Sequence, residues 1–74
     1  MIGFAEQIAC VRREIARRER VYPRRVAAGE MTRINAALEL ARMRAVLETL
    51  QDLRIGEARL RDLFGDASAA VADG

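Results

Sequence analysis

Apolar residues recur in this chain at the spacing of a helix face, in two stretches parted by a glycine and a threonine. Phe4, Ile8, Val11 and Ile15 follow one another at four, three and four residues. That spacing keeps one stripe facing one way along an α-helix. Free of Gly and Pro, the run Ala36, Leu40, Met43, Leu47 and Leu50 forms a second, heptad-like stripe. Between them, Gly29 reads as the residue just past a helix C-terminus, where a left-handed backbone is needed, and Thr32 reads as the N-cap of the next helix. Asn35 stands where a capping box would place Glu or Gln, so the cap is one-sided, from the Thr32 hydroxyl to a backbone N–H. The expected fold is all-α, an antiparallel helical hairpin.

The helix limits follow from the breakers. Pro23 cannot donate an i to i−4 hydrogen bond and disfavours helix at Tyr22, so helix 1 is expected over about 4–22, with a kink or a short new turn beyond. Helix 2 is expected over about 33–54. Gly56 then ends it and Leu60, Leu63 and Phe64 make a short third helix over 57–64, or one long helix carries Gly56 at a cost of about 1 kcal/mol relative to Ala. Residues 1–64 form the single helical domain, and 65–74, small, polar or Ala-rich, form a flexible C-terminal tail.

Seventy-four residues bury too small a fraction of their surface to be stable without a staple, a metal or a partner subunit. Cys10 is the only cysteine and there is no histidine, so neither a disulfide within the chain nor a usual zinc site is available. By elimination the supplement is a homo-oligomer. A further stripe on helix 2, Ile34, Leu38, Ala41 and Ala45, projects away from the first and cannot be covered by the same partner helix. Ile34, Leu38, Met43 and Leu47 are the residues expected at the interface between subunits.

The residue types argue against an enzyme. General acid–base or nucleophilic chemistry needs a group of tunable pKa beside an orienting partner, and the chain offers no His, no Lys, one Cys and one Ser, Ser68. Cys10, beside the apolar stripe, reads as a small packed side chain. Neither an EF-hand cluster nor a phosphate-binding Gly loop is present, and no cofactor or metal is expected. The apolar runs are far short of the roughly 20 residues that span a bilayer, and Met1 to Ala5 is no signal sequence. The expected location is the cytoplasm.

Charge is where a binding function would lie. The net charge is +2, but residues 1–33 hold eight Arg against four Glu while residues 34–74 hold five Arg against seven acids. All thirteen basic residues are Arg, which reflects either selection for bidentate phosphate contacts or a GC-rich genome. Arg13, Arg17, Arg20 and Arg24 fall about 180° from the apolar stripe of helix 1. The plain reading is a solvated face with Glu14 and Glu19 pairing locally. The functional reading is an anion site in which Arg17, Arg20, Arg24 and Arg25 hold phosphates and Tyr22 stacks on a base, gathered at an irregular turn around Pro23. Base-reading side chains are lacking on that face, so specific DNA binding is not expected.

The run Arg13-Glu14-Ile15, Arg18 to Arg24, Gly29, Met31-Thr32, Glu39, Met43, Ala45-Val46-Leu47 and Thr49-Leu50 resembles a family of small proteins of tailed phages and prophages, over about residues 4–53. Its Tyr-Pro-Arg and Gly-x-Met-Thr elements are the distinctive part. The chain departs from that pattern at Ala36-Ala37-Leu38-Glu39, where the family carries an Ala-Asp-Arg-Glu-like stretch. The resemblance implies a phage accessory protein, and proteins of this size commonly block host defence. The expectation is a counter-defence protein that sequesters a nucleotide-type ligand as an oligomer. The alternatives are an interaction module that inhibits a host defence protein and, third, a nonspecific nucleic-acid binder, against which the modest net charge argues.

Overall fold

The computed structural model describes residues 1–73, with side chains described through Gly65. It contains two helices, α1 (Phe4–Ala27) and α2 (Arg33–Asp73), packed against each other as a hairpin. The antiparallel register is set by which residues share grooves. Tyr22 and Val26 lie beside Ala36 and Leu40 near the turn, and Phe4 lies beside Ala58 and Arg61 at the far end.

The turn forms as its residues dictate. Gly29 has φ 76°, the left-handed conformation that L side chains avoid. Its N–H donates to the Val26 carbonyl at 3.1 Å and the Glu30 N–H donates to the Arg25 carbonyl at 2.9 Å. Together these two bonds are a Schellman closure, which satisfies carbonyls at the end of α1. On the other side, the Asn35 N–H donates to the Thr32 hydroxyl oxygen at 3.1 Å, the one-sided cap the sequence called for.

Both helices run further than their breakers indicated. α1 continues to Ala27 with Pro23 inside it. The proline ring fixes φ near the helical value, and its cost is the steric restriction of Tyr22 and the loss of one donor, which leaves the Glu19 carbonyl without its i+4 partner. Tyr22 on one side of it is buried and Val26 on the other is half-buried, so burial on both flanks of Pro23 holds the last turns in line. The glycine at 29, rather than the proline at 23, ends the helix. α2 likewise passes through Gly56 without a break, and no separate third helix over 57–64 exists. One glycine costs about 1 kcal/mol, while strong helix formers on both sides and the Arg61–Glu57 ion pair, spaced i,i+4, favour continuity. The expected flexible tail over 65–74 falls, from residue 66 onward, on side chains outside the description.

The core is a single seam. Among the described residues, Ile8, Ile15 and Tyr22 from α1 and Ala36 from α2 are the buried apolar ones, with Ile8 only 2 % exposed. The stripe read from Phe4 to Ile15 therefore extends by the same spacing through position 18 to Tyr22. Position 18 is Arg, its side chain 26 % exposed. Its stem lies along the seam and its guanidinium reaches Glu14 at 2.9 Å and Glu39 of α2 at 3.8 Å. A second tie between the helices joins Arg44 to Glu19 at 2.9 Å.

This seam is all the hairpin packs. The protein measures 65 × 18 × 13 Å, with a radius of gyration of 18.8 Å, against about 11 Å for a compact chain of this length. By helix rise, α1 covers about 36 Å and α2 about 61 Å, so α2 projects past the start of α1.

Stability should depend on the seam and hardly at all on the outer faces. Truncation of Ile8 or Ile15 to Ala is expected to cost about 2–4 kcal/mol in chemical denaturation, and Thr32→Ala about 1 kcal/mol through the lost cap. Ile34→Ala, at an exposed position, should stay within about 0.5 kcal/mol in the separated protomer.

Candidate functional site

The arginine row forms as a row and not as a pocket. Arg13, Arg17, Arg20 and Arg24 are all exposed and lie along the outer side of α1, over about 16 Å of helix. Among the described residues, Arg13, Arg20 and Arg24 have no carboxylate within ion-pair distance, while Arg17 approaches Glu14 at 3.9 Å. Arg25 points to a different side and sits 3.6 Å from Glu30.

Tyr22 is not part of that row. It is 8 % exposed and sits in the seam, four residues after Arg18 and opposite the outer arginines. Because α1 is regular through Pro23, the backbone N–H groups there are engaged in the helix instead of being free for a ligand. Of the five residues expected to converge on a phosphorylated ligand, Arg17, Arg20 and Arg24 share the outer row, while Arg17, Tyr22 and Arg25 line a shallow groove with Glu14 and Arg18 on the flank of α1. Heptad position was the signal for Tyr22: it continues the spacing of Phe4, Ile8, Val11 and Ile15.

Arg18 is the residue that the sequence reading left undistinguished within the charge cluster. The hydrogen bond from its guanidinium holds the Glu14 carboxyl below its ordinary value of 4.5, with partial burial opposing and the charges of Arg18 and Arg17 assisting. Glu14 raises the Arg18 guanidinium in turn. A carboxylate with a lowered folded-state pKa stabilises fully above its unfolded value and loses that contribution as pH falls.

A second feature of the surface is apolar. Ile34, Leu38, Val46, Leu53, Ile55, Leu60, Leu63 and Phe64 of α2 are all exposed, Leu60 by 59 % and Leu63 by 72 %. At 100° per residue, Val46, Thr49, Leu53, Gly56, Leu60 and Leu63 share one stripe; its later members are turned well away from the stripe that meets α1, and Val46 sits at its edge beside the groove towards Cys10 and Val11. Of the four expected interface residues, Ile34 and Leu38 are exposed. Met43 and Leu47 are half-buried on the stripe of Ala36 and Leu40, which faces α1.

Grooves on either side of the seam are open and shallow. One, near the turn, is lined by Tyr22, Pro23, Val26, Ala36, Ala37 and Leu40 and is mostly apolar. Another, between Cys10, Val11, Val46 and Leu50, is apolar as well. Among the described residues no helix is long and apolar enough to cross a membrane. In comparisons with protein families, curated proteins and solved structures, nothing matches the chain.

Acid titration tests the Arg18 bridge. Thermal stability followed by far-UV circular dichroism should fall as pH drops through and below 4.5, and Glu14→Gln should flatten that part of the profile.

Proposed function

We propose that this chain is a non-enzymatic interaction protein that works by association through the exposed apolar face of α2, and that the assembly presents the arginine rows of α1 outward to an anionic partner. One observation carries the reading: among the described residues, the large apolar side chains that α2 exposes outnumber the residues that the hairpin buries. Leu53, Leu60 and Leu63 fall on one face of α2, and exposed apolar side chains gathered on one face mark an interaction site. The resemblance to small phage and prophage proteins supplies a setting, counter-defence, in which such a protein acts in the host cytoplasm by occupying the surface of a defence protein.

A second reading, capture of a small phosphorylated ligand, is favoured by the guanidinium groups of Arg13, Arg20 and Arg24, which are exposed and have no carboxylate partner among the described residues, and which can fork onto phosphate oxygens. In this form the ligand would be held by charge, without stacking on Tyr22, and with no enclosed volume on the outer side of a single helix.

Light scattering of the purified chain, combined with a thermal-shift screen against cyclic di- and trinucleotides, tests the two together. The association reading expects a mass above one chain and a melting temperature that rises with protein concentration and stays unmoved by nucleotides. A single chain whose melting temperature rises with one nucleotide class, and no longer does so in Arg24→Ala, would replace it with ligand capture.

A further inference from the structure

We infer that the occupant of the α2 stripe is a second copy of this chain, its α2 laid antiparallel against the first about a two-fold axis between Leu53 and Gly56. The inference rests on the association reading above and gives it a partner and a geometry.

The amount of surface is the first argument. The chain exposes 6051 Å², whereas a compact folded monomer of 8.3 kDa exposes about 4,600 Å². The surplus, roughly 1,500 Å² per chain, is in the range that an obligate dimer buries on each side.

The pattern along the stripe is the second. Val46, Leu53 and Leu60 recur every seven residues, and Thr49, Gly56 and Leu63 occupy the position three residues after each. These are the a and d positions of a heptad. In an antiparallel pair, each a residue of one helix meets a d residue of the other. Val46 then meets the second copy's Leu63, Thr49 meets its Leu60 and Leu53 meets its Gly56, large against small at the centre. A Cβ built on Gly56 meets nothing within 4 Å, so nothing within the protomer requires a glycine there. An approaching Leu53 from the second copy does.

Charge is the third. With this heptad, Asp52 and Arg59 both occupy g positions, which face each other in antiparallel pairs. Both are exposed and, among the described residues, neither has an ion-pair partner within the protomer. The two-fold axis brings each Asp52 to the other copy's Arg59, twice over, as an isologous interface must. The same axis lies close to the middle of α2 (Arg33–Asp73), so the two long helices overlap for nearly their whole length and each projecting end is covered by its partner.

The test is a charge exchange read by sedimentation equilibrium on the full chain. Asp52→Arg and Arg59→Asp are each expected to weaken the dimer by roughly tenfold or more, and the double variant to return it to within a few-fold of the original. Leu53→Asp should leave single chains. Both ends of this argument sit on exposed side chains, and helicity by circular dichroism checks that each variant folds. Should Leu53→Asp unfold the chain, the charge exchange still decides. A wild-type dimer in which the double variant is no better than the singles would overturn this geometry while leaving association through α2 in place. A wild-type chain that stays single at high concentration would overturn both.

Discussion

The seam between α1 and α2 is the contact on which the rest of the structure depends. Ile8, Ile15 and Tyr22 close against the stripe that begins at Ala36, and Arg18 lies among them with its charge held by Glu14 and Glu39. An arginine within an otherwise apolar seam gives less stability than an apolar residue there would, yet it favours one register. Glu14, one turn back on α1, satisfies it at 2.9 Å in any register, and Glu39 of α2 adds a longer contact at 3.8 Å that favours this alignment. The Arg44–Glu19 pair lies on the other flank. The apolar row decides which faces of α1 and α2 remain outside, and the two ties, one on each side of it, favour the same alignment.

Those outer faces differ in character because the helices do. The outside of α1 is cationic and its apolar residues are used up in the seam. α2 is longer than α1 and carries a second stripe that α1 cannot reach, so its apolar side chains stay in solvent in the single protomer. A two-helix layer 13 Å thick in its least dimension has no interior in which to hide them. Assembly through α2 removes that surface from water and leaves the arginine rows on the periphery, where charge acts on a partner at some distance.

Much of the architecture was legible in the sequence. Two apolar periodicities separated by Gly29 and Thr32 gave the hairpin, the left-handed turn and the one-sided cap. The helix ends were less legible, for a physical reason: Pro23 and Gly56 have unfavourable local propensities, and burial of Tyr22 and Val26 in one case and helix-forming neighbours in the other outweigh them. The expected anion site was drawn around the same turn. Had Pro23 opened an irregular turn, Tyr22, Arg24 and Arg25 would have had reason to converge; in a continuous helix Arg24 goes to the outer row, while Tyr22 falls to the seam with Arg25 three residues on, beside the same groove. Spacing alone held the signal for Tyr22 and for Arg18, since both extend the stripe that starts at Phe4.

Small-angle X-ray scattering of the wild-type chain over a range of concentrations tests most directly whether the α2 face is covered by association. The account predicts a mass of two chains, a thicker cross-section and a longest dimension that stays close to the 65 Å of one protomer, because the long helices overlap side by side. A mass of one chain at every concentration, with a radius of gyration near 18.8 Å, would contradict it.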